Sequence, residues 1–156
     1  MGQKTDGPAV KTRTTFHMSC SIATQIAAPR ERVWQLLTDA ANYTTWNSTL
    51  TSLEGDITLG GTVKMTVPQV PGRTFKVKVS ELEANRRMIW RDGFPPIFRG
   101  VRTFSLESKD GSDRTIFKMT EECSGLFLPM IAGQFPDFKP IFERYAADLK
   151  SAAERE

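Results

Sequence analysis

The most constraining feature of this sequence is a change in hydrophobic period along the chain. Before residue 125, apolar and polar residues alternate in successive segments such as TVKMTV (residues 62–67) and TFKVKV (residues 74–79). A period of two is typical of β-strands with one covered and one solvated face. After residue 133 the period becomes that of an amphipathic helix. The apolar stripe of this helix consists of Phe138, Phe142, Tyr145 and Leu149.

The order of these segments predicts the architecture. A strand at residues 16–28 precedes two short helices, the first opened by Pro29, and six further strands follow before the long helix. We therefore expect an α+β fold in which a curved seven-stranded antiparallel sheet grips a long C-terminal helix, running from Pro136 or Pro140 to Glu154. A sheet that curls around a helix leaves a gap, which is either filled by side chains or forms a pocket.

Length and charge limit the number of domains and the classes of partner. The 156 residues suit one domain, and we interpret residues 1–15 as a flexible tail and residues 16–156 as a single folded domain. The tail carries a net charge of +2 and the remainder +1, so no nucleic-acid-binding surface is expected. No apolar run approaches the roughly 20 residues of a transmembrane segment. Because the N-terminus also lacks the apolar core of a secretory signal, we expect a cytoplasmic protein.

Residues that form common catalytic and metal sites are sparse. The single histidine is His17, at the edge of a predicted strand, whereas a catalytic triad needs a histidine within reach of a nucleophile. Cys20 and Cys123 are not part of a cluster with metal-ligand spacing, and they should be reduced thiols. The glycine-rich stretch GDITLGG lacks the Lys-Ser/Thr of a phosphate-binding loop. We therefore expect no metal ion and no cofactor.

Several segments of the chain resemble the START/polyketide cyclase-like (SRPBCC) superfamily. AAPRERVWQLLTD followed by NYTTWN is similar to the opening of that family, and FRGVRTFSL, EECSGLF and YAADLKSAAE are similar to later parts, over about residues 19–154. The resemblance implies a helix-grip fold with an internal cavity for a hydrophobic or amphipathic small molecule, of lipid, polyketide or aromatic type. It leaves two alternatives: a polyketide cyclase/aromatase-type or dehydratase-like enzyme that uses the same cavity, and a protein-interaction module of the chaperone-activator type.

The inward-facing side chains of the sheet and the helix are the candidates for ligand binding. They either pack the core, as aromatic stripes usually do, or line a cavity. The candidate ligand-binding residues are Trp46, Trp90, Arg102, Phe104, Phe117, Met119, Glu121, Phe138, Phe142 and Tyr145. In the enzyme alternative, Arg102, Tyr145 or Tyr43 would transfer protons.

Arg102 is the most informative of these candidates. In VRTFSLE it shares a strand face with Phe104, and a turn near Gly111 would place it opposite Met119 and diagonal to Glu121. An unpaired buried guanidinium is too costly to keep, so we predict a salt bridge between Arg102 and Glu121. The pair is either purely structural, or Arg102 also anchors a carboxylate, enolate or phenolate of an apolar ligand.

Three loops are apolar where loops are usually polar, and we expect them to border the opening of the cavity. They are PQVPG (residues 68–72), GFPPIF (residues 93–98) and LFLPMIAG (residues 126–133). For the third segment the alternative is that it plugs one end of the curved sheet.

Overall fold

The alternating segments of the sequence form one antiparallel sheet. The computed structural model describes residues 6–111 and 113–155. The sheet has eight strands in the order β1-β2-β8-β7-β6-β5-β4-β3, and every neighbouring pair is antiparallel. The strands are β1 (Val10–Arg13), β2 (His17–Ile26), β3 (Ser52–Glu54), β4 (Thr62–Thr66), β5 (Phe75–Glu83), β6 (Arg87–Phe94), β7 (Phe98–Ser108) and β8 (Thr115–Ser124).

Strands β4 and β5 show how alternation produces a covered and a solvated face. Val63 lies opposite Val77, and Lys64 lies opposite Lys76. Val63 is buried and Val77 half-buried, whereas both lysines are exposed. Because side chains alternate across a strand, this register places every apolar residue of the pair on the concave face.

The sheet has one strand more than the seven that the sequence predicted. The additional strand is β1 (Val10–Arg13), all four residues of which are exposed. It is an edge strand that pairs with β2 through the backbone, and the Thr12 and Ser19 hydroxyls lie 2.6 Å apart. The prediction of a flexible tail at residues 1–15 is therefore wrong for β1, because backbone pairing requires no apolar pattern. Residues 1–5 of that tail lie outside the described residues.

Two helical segments follow β2, as predicted. Helix α1 spans Arg30–Thr38 with Pro29 immediately before it, and a 3₁₀ turn (Ala40–Asn42) leads into helix α2 (Tyr43–Trp46). Proline is favourable at the start of a helix because its missing N–H would have no intrahelical acceptor there. The side chain of Val33 is fully buried, so α1 covers part of the core.

The long C-terminal helix, α4 (Phe138–Glu154), begins between the two predicted positions, Pro136 and Pro140. The side chain of Asp137 caps it by accepting a hydrogen bond from the backbone N–H of Lys139 at 3.1 Å. Pro140 lies in the first turn, where a backbone N–H has no partner within the helix. The helix therefore accommodates Pro140 without losing a hydrogen bond.

The apolar stripe of α4 faces the sheet and closes the core. Its residues Phe142, Tyr145 and Leu149 are buried, and the helix packs against β2, α1 and α2. An antiparallel sheet curved around a long C-terminal helix is the predicted helix-grip fold, which the structure confirms.

A short helix that the sequence did not predict, α3 (Leu128–Ile131), joins β8 to α4 within LFLPMIAG. A 3₁₀ turn (Ala132–Gln134) follows it. The side chain of Leu128 is fully buried, which anchors this connection to the domain. Over residues 6–111 and 113–155, the chain contains no helix with the length and apolar character needed to cross a membrane.

Candidate functional site

An internal cavity separates the concave face of the sheet from the N-terminal half of α4. Its volume is about 250 Å³, just below the roughly 300–1,000 Å³ typical of small-molecule sites. Helix α4 contributes Phe138 and Ile141 to its wall, and the sheet contributes Val77 from β5, Trp90 from β6 and Arg102 from β7. The gap predicted between sheet and helix is therefore open at this end of the domain.

Most of the cavity wall is apolar. The apolar wall residues are Leu50, Met65, Val67, Val70, Phe75, Val77, Trp90, Phe98, Cys123, Ile131, Phe135, Pro136, Phe138 and Ile141. The charged wall residues are Arg73, Asp92, Arg102 and Glu121. An apolar wall that carries a few polar groups is typical of sites for hydrophobic and amphipathic ligands.

Each of the three loops predicted to border the opening contributes to the wall. The contributing residues are Gln69 and Val70 from PQVPG, Phe98 from GFPPIF and Ile131 from LFLPMIAG. The exposed side chains of Gln69 and Gln134 mark the side that faces solvent. The cavity therefore opens between the β4–β5 loop and the connection from β8 to α4.

The predicted ion pair between Arg102 and Glu121 is present on the cavity wall. Arg102 Nε donates to Glu121 Oε2 at 2.9 Å, and the two side chains are only 16% and 15% exposed. The guanidinium carbon lies 5.2 Å from the ring centroid of Phe142 and 6.0 Å from that of Tyr145. Burial acts to lower the pKa of Arg102, but Glu121, Tyr145 and Tyr43 together raise it by more, so the guanidinium stays charged.

The register of the β7–β8 hairpin differs from the prediction. Arg102 lies directly opposite Glu121 and not opposite Met119, because the strands separate after Ser108 and rejoin at Thr115. Registers that differ by two residues bring the same face inward, so alternation cannot distinguish them. Only the geometry of the turn distinguishes them, and it places Arg102 directly opposite Glu121.

Asp92 is a wall residue that the sequence reasoning missed. A Cβ at Gly100, opposite it on β7, would collide with Asp92 Oδ1 and lie 3.7 Å from Glu121 Oε1, so the two carboxylates border the same space. Burial, followed by the charge of Glu121, raises the pKa of Asp92 to about 6, and Arg102 acts in the opposite direction. Its position two residues after Trp90 in the strand RMIWRDGF was the signal that could have identified it.

The hydroxyls of Tyr43 and Tyr145 are hydrogen-bonded to each other beside the ion pair. Both side chains are buried, and neither belongs to the cavity wall. Burial raises the pKa of Tyr145 to about 12, and burial together with Tyr145 raises the pKa of Tyr43 well above its usual value. The two phenols therefore remain protonated at neutral pH and are poor general bases.

The structure divides the ten predicted ligand-binding residues into two groups. The four that lie on the cavity wall are Trp90, Arg102, Glu121 and Phe138. The six that are buried in the core behind it are Trp46, Phe104, Phe117, Met119, Phe142 and Tyr145. Aromatic rings in this second group contact one another, as between Trp46 and Tyr145 at 5.9 Å, so they form close-packed core. That any of the ten binds a ligand stays a prediction.

The two cysteines are free thiols in buried positions. Burial raises the pKa of Cys20 to about 11 and that of Cys123 to about 12, so both are neutral and unreactive near pH 7. Within the described ranges, no three His, Cys, Asp or Glu side chains are arranged to hold a metal ion.

Comparison with known sequences gives one family match. A family model described as polyketide cyclase/dehydrase and lipid transport matches residues 14–154, nearly the whole chain. A search of curated proteins found no match.

Comparison with solved structures identifies the same fold in proteins of low sequence identity. Truncated norcoclaurine synthase from Thalictrum flavum superimposes with a TM-score of 0.63 and 16% identity, over 94% of this chain and 100% of that chain. CalU16 from Micromonospora echinospora gives a TM-score of 0.60 and 16% identity, over 90% and 84% of the two chains. A hypothetical protein of Helicobacter pylori gives a TM-score of 0.68 and 15% identity, over 90% of this chain and 89% of that chain. At these identities the likeness extends to the fold alone.

Proposed function

This chain belongs to the polyketide cyclase/dehydrase and lipid transport family, and we propose that it binds a hydrophobic or amphipathic small molecule, of lipid, polyketide or aromatic type, in its internal cavity. The observation that carries the proposal is the wall of that cavity. It is apolar over most of its surface, and its charged groups other than the exposed Arg73 lie on β6, β7 and β8.

A ligand gains favourable free energy when its apolar surface moves from water into an apolar cavity. Transfer of apolar surface out of water contributes roughly 25 cal/mol per Å². Because the cavity is already formed in the protein, little ordering free energy opposes binding. The few polar groups then determine how an amphipathic ligand is oriented.

The test compares two variants of adjacent residues on β5. Val77→Phe places a larger side chain in the cavity, whereas Lys76→Phe places the same side chain on the solvated face. We expect the neutral probe N-phenyl-1-naphthylamine to bind the wild type, to bind Lys76→Phe within about twofold, and to bind Val77→Phe at least about tenfold more weakly. Fluorescence titration measures the affinities, and native mass spectrometry detects any co-purified ligand. Equal affinity of both variants would contradict binding in this cavity.

A second candidate function is catalysis of the cyclase or dehydratase type in the same cavity. Asp92 favours it, because its raised pKa of about 6 suits proton transfer near neutral pH. Among the predicted proton-transfer residues, Arg102 lies on the wall, whereas Tyr43 and Tyr145 do not. Asp92 is therefore the better base in this alternative.

The catalytic alternative can be tested without a known substrate. Benzoylacetone, an aromatic β-diketone, exchanges its α-protons for deuterium, and NMR measures the rate. An enzyme of this type should accelerate the exchange, and Asp92→Asn should remove the acceleration while benzoylacetone remains bound. Equal rates with wild type, with Asp92→Asn and without protein would exclude proton transfer by Asp92.

The protein-interaction alternative has an observation of its own, a cluster of exposed apolar side chains. Phe94 at the end of β6 and Ile97 in the turn after it are exposed, as are Leu126, Phe127 and Met130. The backbone N–H of Phe127 donates to the carbonyl of Ile97 at 3.1 Å, which joins the two segments. An exposed patch on a protein without a cavity would favour this alternative. The presence of the cavity favours small-molecule binding instead.

A further inference from the structure

The charged groups on the inner wall of the cavity do not balance. Arg102 and Glu121 neutralise each other at 2.9 Å. Among the described residues, Asp92 has no side-chain hydrogen bond and no ion pair. The fourth charged wall residue, Arg73, is exposed, and its guanidinium lies over the ring of Phe75 at 4.9 Å. The half-buried part of the wall therefore carries one uncompensated negative charge.

The surroundings of Asp92 show the same excess of negative charge. Its carboxylate and that of Glu121 border one space above Gly100, which contributes no side chain of its own. Cys123 faces the same region: burial first, then Glu121 and Asp92, raise its pKa to about 12, and Arg102 opposes them only in part. Two carboxylates and one guanidinium thus share a low-dielectric region that strengthens any interaction with an added charge.

We infer that the polar group of the ligand is a protonated amine that lies against Asp92, with the apolar part of the ligand along Val77 and Phe138. This inference rests on the proposed function, since it requires a ligand in the cavity. An ammonium group would supply the counter-charge that Asp92 lacks. It would also donate a charge-assisted hydrogen bond to a carboxylate that accepts none within the described chain.

A ligand anion is disfavoured at the same place for two reasons. It would have to share the guanidinium of Arg102 with Glu121, which already accepts from Nε. It would also lie beside the carboxylates of Glu121 and Asp92, which border the same space. This geometry supports the structural role of the Arg102–Glu121 pair and weakens the alternative that Arg102 anchors an anion.

The test uses three probes with the same apolar body and different polar groups: 2-(naphthalen-2-yl)ethylamine, 2-(naphthalen-2-yl)ethanol and naphthalen-2-ylacetate. Isothermal titration calorimetry at pH 7.5 measures their dissociation constants for the wild type. We expect the amine to bind at least about tenfold more tightly than the carboxylate, as one charge-assisted hydrogen bond allows. The alcohol should lie between them.

Two matched variants show whether Asp92 causes the preference. Asp92→Asn should bring the amine and the alcohol to within about threefold of each other, because it should weaken the amine far more than the alcohol. Glu122→Gln removes the same charge from an exposed position on the outer face of β8, and the preference for the amine should persist. Loss of preference in Glu122→Gln, or its persistence in Asp92→Asn, would overturn the assignment of Asp92.

The wild type offers a test that needs no variant. The wall residues of β4, β5 and α4 carry no titratable group, and Arg102 and Cys123 keep their protonation between pH 5.0 and 7.5. Glu121 is paired with Arg102. Asp92 has a pKa of about 6 and becomes protonated over this range, whereas the amine stays charged. The affinity of the protein for the amine should therefore fall about tenfold from pH 7.5 to pH 5.0, and its affinity for the alcohol should stay constant.

The outcomes separate this inference from the proposed function. If the alcohol binds but the carboxylate binds as tightly as the amine, the inference is wrong and the proposed function stands. If the amine binds equally at both pH values, Asp92 is not its partner and the inference is also wrong. If none of the three probes binds, the proposed function fails together with the inference.

Discussion

The concave face of the sheet has a filled end and an open end, built from the same two strands. At the filled end, β7 and β8 carry Phe104, Phe117 and Met119, all fully buried. At the open end, the corresponding inward positions carry Gly100 and Cys123. Alternation thus determines which side chains face inward, and their volumes determine whether the space beneath α4 is filled or empty.

The boundary between the two ends is the ion pair of Arg102 and Glu121. Its guanidinium contacts the rings of Phe142 and Tyr145 on one side and borders the cavity on the other. The filled end should therefore supply most of the stability of the domain. The open end should tolerate substitution and supply binding.

The largest effect is expected from truncating the filled end. Phe117→Ala should lower the free energy of unfolding by about 3–5 kcal/mol, because it leaves a cavity among close-packed rings. Phe98→Ala, a half-buried wall residue of the open end, should lower it by about 1–2 kcal/mol, since less apolar surface leaves water there on folding. Urea denaturation of both variants measures the difference. Similar losses would show that the two ends contribute equally to stability.

A smaller loss of stability is expected from substituting one member of the ion pair at the boundary. Glu121→Leu leaves Arg102 charged and nearly buried, and it should lower the free energy of unfolding by about 2–3 kcal/mol. The double variant Arg102→Met/Glu121→Leu should recover most of that loss, since it leaves no unpaired charge. Thermal and urea unfolding of the single and double variants test this. A double variant no more stable than the single would contradict a purely structural pair.

The pH dependence of stability sharpens the contrast at the open end. The pKa of Asp92 is raised to about 6 by burial and Glu121, above its value in an unfolded chain, so its ionisation disfavours the folded state. Its destabilising effect is absent below about pH 4 and complete above about pH 6. Asp92→Asn should therefore raise the free energy of unfolding by about 2 kcal/mol at pH 7.5 and change it little at pH 4. A uniform effect at both pH values would mean that its charge is not the cause.

The smallest effect is expected from the hydroxyl pair behind the boundary. Tyr43→Phe removes one partner of the hydrogen bond to Tyr145 and should lower the free energy of unfolding by about 1 kcal/mol. Because neither residue belongs to the cavity wall, affinity for N-phenyl-1-naphthylamine should change less than twofold. A large loss of affinity would extend the binding site into the filled end.

The strands could be predicted because burial of one face leaves a period of two in the sequence, as in β4 and β5. Strand β1 (Val10–Arg13) could not, since an exposed edge strand has no such pattern and is held by backbone pairing. The register of Arg102 was predicted two residues away from its true partner for a related reason. A shift of the register by two residues leaves the same side chains facing inward, so only the geometry of the turn determines which residues are paired.

The sequence by itself determined which residues point inward: the alternation that places Trp90, Arg102 and Glu121 on the concave face is a local property of each strand. It did not determine which of these inward residues meet the cavity. That depends on where α4 crosses the sheet and on which small residues from different strands, such as Gly100 and Cys123, come together beneath it. The uncompensated charge of Asp92 has the same origin: the pair of Arg102 and Glu121 was predicted from the sequence, but only the tertiary structure places Asp92 beside that pair without a partner of its own.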